Sequence, residues 1–277
     1  MGSQLVLFFA LAYGITWLFS ALATPGLLPL QLPAVVRGLG AVLCHFGPSL
    51  AAVLLTAASG GRTALRRLLG QLGRWRVGAR WYAFVLLYPL VARLLAAGLD
   101  VALGGRAPLP FHAGGVPAGN PLLLFVPVFA GVLLQAGLAE EIGWRGFALP
   151  RLQARHSALI SSLILGILWA GWHFHPLNWP LMRPVAPWYV LGTLPFTILF
   201  TWVYNSSGGS LLLAVLFHTA SNVSDWILPI VPFLSSTGSG RAYGLLILIN
   251  TLLAAAVVIA CGPQHLARSA TVPHKEK

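Results

Sequence analysis

The chain has 277 residues, of which 57% are hydrophobic and only 8% are charged. Soluble domains carry about 25% charged residues, so this composition excludes an ordinary water-soluble fold. Apolar runs of around 20 residues recur along the whole length, and no alternating pattern of a β-barrel accompanies them. The sequence therefore predicts an all-α, polytopic membrane protein with about eight transmembrane helices that enclose an intramembrane polar site.

Segments rich in glycine and proline separate the apolar runs and mark the connections between spans. The first run has no basic segment before it, which predicts a retained helix rather than a cleaved signal. The predicted spans cover residues 4–23, 34–58, 81–103, 127–149, 159–179, 188–204, 209–227 and 242–261.

A basic segment between the second and third spans supplies much of the net charge of +12. Basic clusters beside a span set topology and contact anionic headgroups, so binding of nucleic acid is the weaker interpretation. Leucines and Trp75 are interspersed with the arginines, as in a helix that lies in the membrane interface. We therefore predict that residues 62–80 contact anionic lipids. The arginines of this segment are Arg62, Arg66, Arg67, Arg74, Arg76 and Arg80.

The distribution of basic residues also predicts the topology. If the arginine-rich segment is cytoplasmic, an even number of spans places both termini on that side. Eleven Lys and Arg residues then lie in the cytoplasm and four lie on the opposite side, which obeys the positive-inside rule. We predict a multi-pass protein of a bacterial plasma membrane with cytoplasmic termini. The cytoplasmic set adds Arg151, Arg155, Arg268, Lys275 and Lys277, and the opposite set is Arg37, Arg106, Arg183 and Arg241.

Glu140 and Glu141 are adjacent within an apolar run, although the chain has only five acidic residues. An acidic side chain inside a bilayer is costly and suggests a functional site. Arg145 follows Glu141 by one helical turn and is predicted to neutralise it. Glu140 points about 100° away around the helix, so it remains as the candidate for chemistry.

Two histidine motifs lie in later apolar runs, Trp169-Ala-Gly-Trp-His173 and His218-Thr-Ala-Ser-Asn222. His218 and Asn222 are four residues apart and share one helix face. A single histidine in a membrane more often forms a hydrogen bond between helices. We favour catalysis over packing because two histidines, an asparagine and an unpaired glutamate occur together on three helices.

A shared site depends on the residue at which the fourth span ends. Hydropathy alone would end that span at Ala139 and leave Glu140 near the membrane surface. Continuing the helix to Leu149 places Glu140 in mid-span, and His173 and His218 then also lie near the middle of their spans. We adopt the span that ends at Leu149 because it alone allows the three side chains to meet.

The three motifs, in this order, resemble the signature of the CPBP family. That family includes type II CaaX prenyl endopeptidases, lysostaphin-resistance-like proteins and bacteriocin-processing or immunity proteins. Segments 46–52, 75–77 and 208–210 also look like family features, so the resemblance covers most of the chain. It implies a single membrane-embedded domain over residues 1–277, with the core motifs within 121–227.

Two positions depart from the family pattern. Trp169 stands where phenylalanine is commoner, and His175 follows where the family usually continues into Leu-Pro. His175 would point about 200° away from His173 on a helix, so we predict that it is peripheral.

The resemblance implies an intramembrane endopeptidase that cleaves a membrane-associated protein or peptide. Glu140, assisted by His173, would activate a water molecule for attack on the peptide carbonyl. His218 and Asn222 would donate hydrogen bonds to the developing oxyanion. The supporting residues would be Glu141 and Arg145.

A zinc mechanism is the alternative to metal-free hydrolysis. Glu140, His173 and His218 are the residues that would hold zinc with an open coordination position. However, an HExxH motif is absent, and use of Glu140 as a ligand leaves no separate base. We therefore favour a glutamate-dependent reaction without a cofactor.

Other classes of function stay open. A non-enzymatic immunity or adaptor protein could share the fold, but all three motifs are intact here. A proton-coupled transporter could use the same Glu and His residues, but no internal repeat is apparent. Hydrolysis of the rhomboid type would need Ser206, Ser207 or Ser210 near His218, and these serines look like a loop and a helix N-terminus.

Overall fold

The computed structural model describes residues 2–111, 120–232 and 238–267. These residues form helices joined by turns and irregular connections, and they contain no β-strand. In chain order the helices are α1 (Gly2–Ala23), α2 (Ala34–Gly73), α3 (Ala79–Ala102), α4 (Pro121–Gln153), α5 (Ala158–Trp172), α6 (Trp179–Ser206), α7 (Leu211–Ile227) and α8 (Gly240–Cys261).

Six of these helices are long and apolar enough to cross a membrane, and α5 and α7 are shorter apolar helices. With 15 and 17 residues, α5 and α7 reach about 23 and 26 Å, less than the roughly 30 Å of a hydrocarbon core. Twelve residues of α7 are buried, so this helix lies inside the bundle. The predicted all-α, polytopic membrane fold is thereby confirmed.

The second predicted span ends at residue 58, but α2 continues well beyond it. Gly61 interrupts the helix with φ of 61°, and a further helical stretch follows to Gly70. All six arginines of the basic segment are exposed, whereas Leu68 is buried against the bundle. The exposed arginines suit the predicted contact with anionic lipids, which stays a prediction.

Contacts between connections show which helix ends share a side of the bundle. Arg74 Nη1 donates to Gly208 O at 2.6 Å, so the basic segment and the α6–α7 connection lie on one face. The start of α5 meets the chain after α8 on that face, where Ala158 N donates to Gln264 O. On the opposite face, Arg241 forms an ion pair with Asp100. The helices therefore alternate as predicted, while Arg268, Lys275 and Lys277 lie outside the described residues.

Small residues allow the helices that carry the acidic pair to pack closely. A Cβ added at Gly143 of α4 would lie 2.5 Å from Pro48 O of α2, and one at Gly137 would lie 2.7 Å from Thr219 Oγ1 of α7. Close backbone approach at small residues is typical of helix packing in membranes. The segment around Glu140 thus packs closely against both α2 and α7.

Helix α4 is not regular where it carries the acidic pair. Wide turns of the π type cover Leu133–Leu138 and Ile142–Ala148, and they flank the short regular stretch Ala139–Glu141. Such turns are rare and often occur at functional sites. The helix continues to Gln153, so Glu140 lies within the span, as predicted from the span that ends at Leu149.

Candidate active site

A cavity of about 630 Å³ lies among the helices, and Glu140, His173, His218 and Asn222 all line it. These residues come from α4, α7 and the end of α5, three segments that are distant in sequence. The wall also contains aromatic and aliphatic side chains. A mostly apolar cavity with a few convergent polar groups is the usual form of a small binding or active site.

The Glu140 side chain is buried, and its two oxygens have different surroundings. Oε2 accepts a hydrogen bond from Trp169 Nε1 at 2.7 Å and a longer one from Trp144 Nε1 at 3.4 Å. Oε1 instead lies 4.0 Å from His218 Nε2. One oxygen is therefore held by indole donors, and the other faces the histidine.

The predicted ion pair between Glu141 and Arg145 is present. Arg145 Nη1 lies 2.7 Å from Glu141 Oε1, and both side chains are fully buried. The guanidinium carbon also lies over the rings of Trp169 and Phe200, at 4.4 and 3.9 Å from their centroids. Aromatic faces attract cations, so the rings compensate part of the cost of burying this charge.

The sequence did not reveal that His218 also bonds to the acidic pair. Its Nδ1 lies 2.8 Å from Glu141 Oε1, which fixes the ring with Nε2 toward Glu140. An ionised Glu141 accepts a hydrogen bond from Nδ1–H, so the neutral ring presents a lone pair at Nε2. In its protonated form His218 donates from both nitrogens, to Glu141 and toward the cavity.

The predicted mid-span position of His173 is wrong. Helix α5 ends at Trp172, and His173 is the residue immediately after it. Pro176 follows three residues later and cannot continue a helix, which explains the early end. His173 Nδ1 lies 2.8 Å from Trp169 O, and its ring packs against Trp172. His173 still reaches the cavity because the short α5 ends at its wall.

Asn222 lies one turn after His218 on α7 and lines the same cavity. Within the described part of the chain its amide has no hydrogen-bond partner, so its donors are available to a bound group. Ser210, by contrast, caps the start of α7, since its Oγ accepts from Leu213 N and donates to Arg74 O. That placement agrees with the predicted helix N-terminus.

His175 is not peripheral as predicted, because it forms part of the cavity wall. The chain no longer follows a helix at this point, so the expected rotation away from His173 does not apply. Its Nδ1 lies 2.8 Å from Ser20 Oγ of α1, and the side chain is only 1% exposed. Burial lowers the pKa of His175 to about 4, so the ring is neutral at pH 7.

A second ion pair in the cavity wall was also missed. Arg93 of α3 binds both carboxylate oxygens of Asp225 of α7, at 2.9 and 2.8 Å. The two residues are 132 positions apart, so no local spacing connects them. The available signal was that both carry charge inside predicted spans, where opposite charges pair with each other.

The possible zinc ligands do not form a metal-binding group in the structure. In residues 2–111, 120–232 and 238–267, no three His, Cys, Asp or Glu side chains are arranged to hold a metal ion. His173 is bound to its own helix through Nδ1, and Glu140 Oε2 is occupied by indole donors. The absence of a cofactor stays a prediction, and the steps below use only the side chains of the chain.

Two comparisons with known proteins cover the segment that carries these residues. A family model described as type II CAAX prenyl endopeptidase Rce1-like matches residues 122–224. The CAAX prenyl protease 2 of Methanococcus maripaludis is 34% identical over 155 residues, which cover 52% of this chain and 55% of the relative. The match thus spans about half the length of that protein. Together the two comparisons show that the core segment is similar to CAAX prenyl proteases, the class of enzyme that the three motifs resemble.

Proposed function

We propose that this chain is a membrane-embedded endopeptidase that hydrolyses a peptide bond in a membrane-associated protein or peptide. The observation that carries the proposal is the placement of Glu140, His173, His218 and Asn222 on one cavity inside an apolar bundle. The similarity of the core segment to CAAX prenyl proteases supports the same class of reaction. The substrate is proposed to be of the CaaX type or a leader peptide.

The proposed reaction begins with a water molecule beside Glu140 Oε1, the oxygen that indole donors do not hold. Glu140, assisted by His173, accepts a proton from this water while the water oxygen forms a bond to the peptide carbonyl carbon. Because Nδ1 of His173 is bound to Trp169 O, the free nitrogen of that ring is the one available to assist. The proton then passes to the leaving amine as the carbon–nitrogen bond breaks.

The carbonyl oxygen becomes an oxyanion in the first step and needs donors beside it. Asn222 offers its amide, and protonated His218 offers Nε2–H, both from one face of α7. The contact between His218 and Glu141 keeps the orientation of the ring. Glu141 and Arg145 are therefore proposed to support the site rather than to touch the substrate.

Cleavage by the purified protein tests the proposed function. Wild-type protein in liposomes should cleave a reporter peptide, either a prenylated CaaX-type peptide or a leader-type peptide, and new termini should appear in cell membranes that contain it. Absence of cleavage in both assays would contradict the proposal and favour an adaptor or a transporter. Proton flux without cleavage would identify the transporter.

We also propose that hydrolysis needs no metal ion. Purified active protein should contain no stoichiometric zinc by elemental analysis, and chelators should leave the rate unchanged. Stoichiometric zinc that is lost together with activity in His173→Ala would replace the glutamate mechanism with a metal mechanism.

The proposed orientation has both termini and residues 62–80 in the cytoplasm. Single cysteines at Arg67 and Leu109, which are exposed on opposite faces, test it after Cys44 and Cys261 are replaced by alanine. An impermeant thiol reagent added outside intact cells should label Leu109→Cys and not Arg67→Cys. The reverse labelling pattern would overturn the orientation.

A further inference from the structure

Trp169 makes the shortest hydrogen bond that the Glu140 carboxylate receives in the described structure. Its Nε1 donates to Oε2 at 2.7 Å, from α5 to α4, and the side chain is only 4% exposed. Hydrogen bonds to an ionised acceptor are shorter and stronger than those between neutral groups. A phenylalanine at this position would have no such donor. The indole N–H therefore adds a contact to the proposed base.

Trp169 also touches the rest of the site. The guanidinium of Arg145 lies 4.4 Å from its ring centroid, and the ring of His218 meets it edge-on at 5.3 Å. Its backbone oxygen binds His173 Nδ1. One residue thus contacts Glu140, Arg145, His218 and His173.

The hydrogen bond has a geometric consequence for the carboxylate. The terminal torsion of a glutamate side chain has a broad energy minimum, so an unrestrained carboxylate turns easily. Trp169 holds Oε2 from the α5 side, and Oε1 is then the oxygen near His218 Nε2. The second indole, Trp144, is 3.4 Å from Oε2, a distance at which a hydrogen bond is weak.

We propose that Trp169 is a positioning residue, whose indole N–H fixes the Glu140 carboxylate so that Oε1 faces the cavity. This inference rests on the proposed role of Glu140 as the base. It predicts an effect on the chemical step, since the orientation of Glu140 matters when the water loses its proton. Substrate binding should depend on it much less.

The test compares kcat and KM of purified variants in liposomes with the reporter peptide that the wild type cleaves. Trp169→Phe should lower kcat about 10- to 100-fold, the range expected for loss of a hydrogen bond to a charged group, with little change in KM. Trp144→Phe should lower kcat only a few fold, because its bond is longer. Trp81→Phe removes a buried indole of α3 outside the cavity and should leave both constants unchanged.

A shape-matched variant separates the hydrogen bond from packing. Replacing Trp169 with β-(3-benzothienyl)alanine through a suppressed stop codon keeps the bicyclic ring and substitutes sulfur for the N–H. This variant should keep the melting temperature of the wild type and still lose kcat. It also tests the inference if Trp169→Phe does not fold.

Unchanged kcat in the benzothienyl variant would overturn the inference, as would an equal loss in Trp169→Phe and Trp81→Phe. The proposed function fails by a different result, namely absence of cleavage by the wild type, and the role of Glu140 as the base fails if Glu140→Gln keeps full activity. An active wild type, an inactive Glu140→Gln and a fully active benzothienyl variant would therefore refute only the role of Trp169.

Discussion

Replacement of Glu140 by glutamine is expected to lower the rate of peptide hydrolysis by about 100- to 10,000-fold, the range of a general base. The amide has nearly the same size, and its oxygen can still accept from the Trp169 indole. The variant should therefore fold and insert into membranes. It lacks the basic carboxylate that accepts a proton from water. Single-turnover cleavage of the reporter peptide and thermal stability in detergent measure the two properties separately.

Glu276→Gln is the matched control, because it makes the same chemical change at a glutamate that none of the three motifs contains. It should cleave at the rate of the wild type. Cells that contain Glu140→Gln should also lack the new peptide termini seen with the wild type, which would identify the substrates. A Glu140→Gln variant with wild-type rates would show that another group accepts the proton.

The second large effect is expected at Asn222. Asn222→Ala should lower the single-turnover rate about 100- to 1000-fold, the usual cost of losing one oxyanion donor, and should change substrate binding little. Asn222→Asp should also be slow, because a carboxylate there would repel the oxyanion. If Asn222 served only to pack helices, its loss would instead lower stability by roughly 0.6–2 kcal/mol and spare the rate.

Asn205 provides a control with the opposite expectation. Its amide binds Gln153 and the backbone oxygen of His265, and it lies outside the cavity. Asn205→Ala should therefore lower the melting temperature and leave the cleavage rate close to that of the wild type. The same pattern in Asn222→Ala, a lower melting temperature with normal cleavage, would remove Asn222 from the proposed catalytic group.

Local spacing predicted the parts of the site that depend on one helix. The pair of Glu141 with Arg145 follows from their separation by one turn, and the shared face of His218 and Asn222 follows in the same way. Hydropathy also located the helices, since burial in lipid demands long apolar runs.

Contacts between helices could not be predicted from those patterns. The bond from His218 to Glu141 depends on which face α7 turns toward α4, and the pair of Arg93 with Asp225 depends on the approach of α3 to α7. The motif identified Trp169 only as a departure from phenylalanine and did not show that its N–H binds Glu140. Each of these results requires the tertiary packing and not only the residue type.

The wide turns of α4 mean that chain length, as well as residue identity, determines where Glu140 points. A π-type turn contains one residue more than a regular turn, so Leu133–Leu138 corresponds to a local insertion. Deletion of one residue from the regular stretch Pro121–Val132, where no wide turn absorbs the change, would instead rotate the acidic pair by about 100° relative to the start of the helix. Hydropathy and all three motifs would be unchanged. During evolution, a one-residue length change could therefore uncouple the acidic pair from the histidines while the membrane fold persists.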